Sequence, residues 1–273
     1  MNNFIIRTLS GAFFVAFIVG SIILSPISFL IVFSIITSLA VYEFHKLTNN
    51  QEGVHVNPFL ASLGGAMLFV ITHFSSSGET EFPLYIFYGF FILVVIVSGL
   101  YQKTINPVHN WTYFLTGQIM IALPLSLLNY IMFATGYNPY IILALFIIIW
   151  VNDTGAYLTG VSFGKHRLFE RVSPKKSWEG FFGGAVFALI SGFILSRFIT
   201  ELSMPEWLVF SILVVIAGTY GDLTESLLKR TLQVKDSGNI IPGHGGILDR
   251  FDSLLLAAPV IFIFLTLLLK LSI

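Results

Sequence analysis

Three candidate carboxylates stand within segments that are otherwise apolar. A carboxylate at membrane depth is costly, so each marks either a functional cavity or a polar network that fastens helices together. They are Asp153, in Trp150-Val151-Asn152-Asp153-Thr154-Gly155-Ala156-Tyr157, and Asp222 and Glu225, in Tyr220-Gly221-Asp222-Leu223-Thr224-Glu225-Ser226-Leu227-Leu228-Lys229-Arg230. On a helix, Asp153, Tyr157 and Gly160 share one face, and Asp222, Glu225 or Ser226, and Lys229 form one stripe. That stripe begins inside an apolar segment, which weakens the plain reading of a solvated surface pairing.

The chain then runs into Lys235-Asp236-Ser237-Gly238-Asn239-Ile240-Ile241-Pro242-Gly243-His244-Gly245-Gly246-Ile247-Leu248-Asp249-Arg250-Phe251-Asp252. Four glycines and a proline around one histidine call for a sharply turning backbone whose amide N–H groups are free to meet an anion. Asp249 and Asp252 open the last apolar segment, where capping a helix start is the plainer role. The basic neighbours favour a phosphate site instead. A second polar loop holds Gly164-Lys165-His166-Arg167 and then Ser173-Pro174-Lys175-Lys176-Ser177-Trp178-Glu179-Gly180. Ser173 as N-cap and Pro174 at the first helical position predict a helix start there. Lysines beside a helix N-terminus strengthen its preference for phosphate. The alternative is a membrane-surface role, with the lysines on anionic headgroups and Trp178 at the interface.

P-loop, zinc-protease and dinucleotide-binding motifs are absent. Gly160-Val161-Ser162-Phe163-Gly164-Lys165-His166 has three residues between its glycines and His after Lys, so it fails the P-loop pattern, and no HExxH or GxGxxG occurs. With no Cys there is no disulfide framework, thiolate nucleophile or cysteine-held metal. What remains is a set of carboxylates suited to Mg²⁺, a group of cations, a glycine-rich turn and a lipid-accessible setting. Those parts suit phosphoryl or nucleotidyl transfer from a soluble phosphate donor to a membrane-dissolved acceptor, chemistry that rests on positioning and charge neutralisation.

The elements that must position these residues are helices in a bilayer. Of 273 residues, 56% are apolar, 10% are charged and 28 are Phe, too little polar surface for a water-facing coat. The formal net charge is zero, without the basic stripe a nucleic-acid binder needs. Nine apolar stretches of spanning length are expected near 6–24, 27–45, 58–74, 82–101, 112–134, 139–161, 180–199, 205–227 and 251–270. The first is read as a retained span, not a removed signal peptide. Assigning the loops alternately to two sides puts twelve Lys and Arg on the side of the N-terminus and two, Arg197 and Lys270, on the other. That asymmetry predicts an all-α polytopic membrane protein of about nine transmembrane helices with a cytoplasmic N-terminus. The long loops 162–179 and 229–250 fall on the cytoplasmic side and hold nine of the fourteen basic residues. Residues 1–135 then read as scaffold, and 136–273 as the half that carries the site. Glycines 160 and 164, and 180 and 184, fit close helix packing.

Ser226 to Asp252 resembles the signature of the phosphatidate cytidylyltransferases, also called CDP-diacylglycerol synthases. The match runs through Ser226, Lys229-Arg230, Lys235-Asp236, His244-Gly245-Gly246 and Asp249-Arg250-Phe251-Asp252. Phe163 to Gly180 and Asn152 to Tyr157 are also similar to that family. The resemblance implies conversion of CTP and phosphatidate to CDP-diacylglycerol and pyrophosphate. The setting would be a homodimer in the bacterial cytoplasmic (inner) membrane, dependent on Mg²⁺ and a second monovalent cation (K⁺), with its active site facing the cytoplasm. It further implies Asp222 and Asp249 as metal ligands and, with Lys235 and Arg250, as the catalytic set. Lys175, Lys176, Lys229, Arg230, Lys235 and Arg250 would neutralise the phosphates. Ser177, Glu179, Ser226, Asp236, His244, Asp252 and Asp153 would complete the substrate pocket. The alternatives are another lipid-phosphate transferase, or an ion-coupled transporter that uses Asp153, Asp222 and Glu225.

Overall fold

The structure is a computed structural model and describes residues 3–102, 106–238, 240 and 245–271. Each of the nine apolar stretches holds a helix. In chain order these are α1 (Asn3–Leu24), α2 (Pro26–Thr48), α3 (Pro58–Ser76), α4 (Tyr85–Ser98), α5 (Pro107–Gly117) continuing into α6 (Leu123–Met132), α7 (Pro139–Phe163), α8 (Trp178–Leu195), α9 (Met204–Thr231), and a short α10 (Leu248–Phe251) leading into α11 (Leu254–Leu271). Among the described residues, seven helical segments are long and apolar enough to cross a membrane, and two shorter apolar helices span Ser10–Leu24 and Tyr85–Tyr101.

Local sequence explains the starts. Ser25-Pro26, Asn57-Pro58, Asn106-Pro107 and Asn138-Pro139 each place a side-chain oxygen acceptor before a proline, and α2, α3, α5 and α7 begin there. The polar side chain takes up free amide N–H groups, and proline at the first position has no N–H to leave unsatisfied. Between α5 and α6 a single π turn covers Gln118–Ala122, just ahead of Pro124, whose missing N–H breaks the regular ladder.

The all-α architecture carries one small local sheet. Residues Arg167–Phe169 (β1) and Ser173–Ser177 (β2) form a two-stranded antiparallel sheet, with Arg167 opposite Ser177 and Phe169 opposite Ser173. The helix expected to start at Pro174, capped by Ser173, starts at Trp178. Proline biases the residue before it toward extended backbone, which suits Ser173 to a strand. The capping role passes to Ser177, whose Oγ accepts the Gly180 N–H at 3.1 Å. The second loop is also shorter than 229–250, because α9 continues through Thr231. That helix ends with the Val234 N–H on the Lys229 carbonyl at 2.9 Å and the Gln233 N–H on the Arg230 carbonyl at 3.1 Å, and Gln233 takes a left-handed φ of 57°.

Two kinds of packing fix the site. The first is close approach of α7 and α8 over glycines: a methyl group at Gly184 would lie 2.7 Å from the Asn152 carbonyl oxygen, and one at Gly180 2.9 Å from that of Ala156. In lipid, where apolar contact alone drives little association, such small-residue seams let backbones pack tightly. The second is an aromatic knot around buried Phe33 of α2, whose ring lies 6.3 Å from Phe69 of α3, 6.1 Å from Phe146 of α7 and 6.2 Å from Phe251 of α10. This knot holds α10, with Asp249 and Arg250, against the bundle. The C-terminal ends of α2, α7 and α9 and the N-terminal ends of α8 and α10 gather at one end of the bundle, as the polar contacts below establish. At the opposite end Tyr137 donates to the Ile22 carbonyl at 3.3 Å and Asn138 donates to Glu201 at 2.5 Å.

Candidate active site

Two cavities meet at the polar end, and Asp153 and Asp222 line both. The first, about 490 Å³, lies between α1, α7, α9 and α10 and adds Asp249, Arg250 and Asp252, so four carboxylates face one space above Phe146 and Trp150. The second, about 670 Å³, lies between α7, β2 and α8 and is lined by Arg167, Lys175, Lys176, Ser177 and Tyr157. An acidic chamber therefore adjoins a basic one across a shared pair of aspartates. Asp153, Tyr157 and Gly160, expected on one helical face, all border the second chamber.

The charges are tied together in pairs. Lys176 is ion-paired with Asp222, which links β2 to α9 where the chambers meet. Lys229 Nζ lies 2.5 Å from Glu225 Oε2, one turn earlier on α9, and 2.7 Å from Asp249 Oδ1 on α10. Asp249 Oδ2 accepts the backbone N–H groups of Ser237 and Gly246, both at 2.9 Å. Ser226 donates to Asp222 Oδ1 at 3.2 Å, and Asn152 donates to Asp153 Oδ1 at 3.3 Å. Asp252 Oδ1 accepts the Ser253 N–H at 2.6 Å and borders the acidic chamber. Arg230 Nε donates to the Val172 carbonyl at 3.4 Å, joining the end of α9 to the loop between β1 and β2.

Not every candidate reaches the chambers. Glu179 accepts the backbone N–H of Lys165 at 3.1 Å and of His166 at 3.2 Å, and His166 Nδ1 lies 2.6 Å from its Oε1. It braces the turn before β1. Ser177 borders the basic chamber, but its hydroxyl caps α8. Lys235 and Asp236 are exposed on the loop after α9, outside both cavities. His244 lies outside the described residues.

One residue escaped the sequence reading. Glu43 of α2 is 3% exposed, and its Oε2 accepts the Ser237 hydroxyl at 3.1 Å and the Leu248 N–H at 2.9 Å. The signal that singled out Asp153 applied to it too, a carboxylate within an apolar stretch, here 27–45.

The donor chemistry fits a hard cation, since every candidate ligand is a carboxylate oxygen. Among the described residues no three His, Asp or Glu side chains cluster closely enough to hold a metal by themselves. In phosphate chemistry Mg²⁺ is generally bound by one or two carboxylates, with phosphate and water oxygens completing the shell.

The model of the cytidylyltransferase family matches residues 5–268. The chain belongs to the cytidylyltransferase family. Relatives named phosphatidate cytidylyltransferase include those of Haemophilus influenzae, 44% identical over 132 residues, and of Staphylococcus epidermidis, 47% identical over 128 residues. That of Bacillus subtilis is 47% identical over 123 residues. These alignments take in 45%, 46% and 44% of this chain and 46%, 48% and 45% of the relatives, so the chain spans about half the length of the curated relatives it matches.

Proposed function

We propose that this membrane cytidylyltransferase-family protein transfers the cytidylyl group of CTP to phosphatidate, giving CDP-diacylglycerol and pyrophosphate. The observation that carries the proposal is the junction of an acidic and a basic chamber at Asp153 and Asp222. An apolar wall of Gly11, Phe14 and Val15 from α1 borders the acidic side, giving an acyl chain a compatible surface.

In this reading a phosphate oxygen of phosphatidate attacks the α-phosphorus of CTP in line, a new P–O bond forms, and the bond to the bridging oxygen of the β-phosphate breaks. The acceptor is already an oxyanion at neutral pH, so no protein nucleophile and no general base are required. Lys175, Lys176 and Arg167 bind the triphosphate and hold pyrophosphate charge as it develops, and Arg250 binds the lipid phosphate. Asp222 and Asp249 would hold Mg²⁺, which would supply neutralisation of phosphate charge when bound. Lys176 and Lys229, each paired with one of those carboxylates, keep the two aspartates compensated and oriented. Lys235, outside both chambers, takes no part in this scheme.

The basic-residue asymmetry supports an orientation with this end of the bundle, and the N-terminus, on the cytoplasmic side of a bacterial inner membrane. The same proposal includes a homodimer, which light scattering of the solubilised protein reads directly, and a monovalent cation, K⁺, which replacing potassium in the assay tests. The deciding experiment is pyrophosphate release in mixed micelles with CTP, phosphatidate and Mg²⁺ omitted in turn. Release that needs all three is expected; release independent of phosphatidate overturns the proposal.

A further inference from the structure

A buried carboxylate on α2 grips the segment that carries Asp249, and the reaction scheme makes no use of it. Glu43 lies in the scaffold half of the chain, 194 residues from one partner and 205 from the other. Its Oε2 accepts both the Ser237 hydroxyl and the Leu248 N–H, while Oε1 has no hydrogen-bond partner among the described residues. Ser237 is in turn locked to Asp249: the Ser237 N–H donates to Asp249 Oδ2 at 2.9 Å, and the Asp249 N–H donates to Ser237 Oγ at 3.3 Å. The relay Glu43 to Ser237 to Asp249 therefore runs from a membrane helix to the acidic chamber through three direct contacts.

Two glycines of the loop are explained by the same group. A methyl group at Gly238 would collide with Glu43 Oε1, and one at Gly246 with Glu43 Oε2 and Ser237 Oγ. The backbone wraps the carboxylate so closely on both sides that only glycine fits. A buried carboxylate is costly unless hydrogen-bonded, and the two donors on Oε2 meet that need by drawing the Ser237–Leu248 segment onto α2.

We propose that Glu43 is a positioning residue, setting the orientation of Asp249 through Ser237. It touches no substrate. The inference rests on the transferase reading only for its kinetic readout. Because a single oxygen takes both donors, an amide oxygen can replace it, which makes Glu43→Gln the conservative variant.

The test uses the full chain in detergent, with folding of each variant checked by size-exclusion profile. Amide hydrogen exchange is followed at residues 237 to 249, together with kcat and KM for CTP. For Glu43→Ala, the Ser237, Gly246 and Leu248 amides are expected to exchange faster than in the wild type. Its kcat is expected to fall roughly a hundredfold, the scale set by a misplacement of about 1 Å, with KM nearly unchanged. Ser237→Ala is expected to lose a similar factor, and the double variant no more than the worse single one, as for residues acting in one chain of contacts. Glu43→Gln is expected to restore most of the rate and the exchange protection. Unchanged exchange in Glu43→Ala, multiplying losses in the double variant, or a Glu43→Gln as impaired as Glu43→Ala overturns the inference. A wild type without transferase activity overturns the functional reading instead, and exchange alone then decides the role of Glu43.

Discussion

Lys229 and Asp249, twenty residues apart, are joined by a 2.7 Å ion pair that ties the end of α9 to α10, and the same ammonium holds Glu225 at 2.5 Å. Lys229 and Asp249 side chains are 14% and 7% exposed and that of Glu225 is 1%. One cation thus compensates two nearly buried carboxylates. Removing it leaves both carboxylates without their cation, the situation in which a buried pair costs most. Lys229→Met is predicted to lower unfolding free energy by about 3 to 5 kcal/mol, read as a fall in the thermal midpoint of detergent-solubilised protein. An unchanged midpoint would show that water reaches the triad.

Asp249→Asn is predicted to leave the fold intact, because the amide oxygen still accepts the Ser237 and Gly246 N–H groups. It removes the charge that Lys229 meets and that a hard cation would need. Turnover is expected to fall by roughly a hundredfold or more, with the elution profile close to wild type and the thermal midpoint lowered by less than in Lys229→Met, since Lys229 keeps Glu225 as a partner. Near-normal turnover would remove Asp249 from the chemistry.

The seam between α7 and α8 is predicted to reject a single methyl. Gly184→Ala places a carbon 2.7 Å from the Asn152 carbonyl oxygen, against backbone that has nowhere to go. Overpacking of this kind costs about 1 to 3 kcal/mol. Gly20→Ala on α1, where nothing lies within 4 Å of the added carbon, is expected to be neutral or stabilising. Thermal midpoints of the two variants in the same detergent check the contrast.

Gln233 holds a left-handed backbone conformation, φ 57°, just beyond the end of α9. Its place in the terminating hydrogen-bond pattern is one that glycine ordinarily fills. Gln233→Gly is predicted to stabilise the protein by up to about 1 kcal/mol by relieving that strain, measured as a raised thermal midpoint with activity unchanged.

These particular residues show where sequence reading reached and where it stopped. Asp153, Asp222 and Lys229 were legible because charge inside an apolar segment is rare and helical spacing then fixes which of them share a face. The helix starts at Ser25-Pro26 and at the three Asn-Pro pairs carry the same local cue that was read at Ser173-Pro174. At Ser173-Pro174 the same cue misled, because the competing hydrogen bonds come from Arg167–Phe169, a pairing that no local pattern announces. The dependence of Gly238 and Gly246 on Glu43 was invisible for a related reason: the partners lie about 200 positions apart, and only the packed fold brings them into contact. That Glu179 braces a turn instead of facing a chamber likewise depends on backbone N–H groups of residues 165 and 166, whose direction spacing does not give.

The most direct test of the central claim follows the α-phosphate. Purified protein in mixed micelles is given phosphatidate, Mg²⁺ and CTP carrying a radiolabel at either the α- or the γ-phosphate. Transfer of a cytidylyl group predicts that the α-label enters the organic phase as CDP-diacylglycerol while the γ-label stays in water as pyrophosphate, in equal amounts. Entry of the γ-label into lipid, or of neither label, would contradict it.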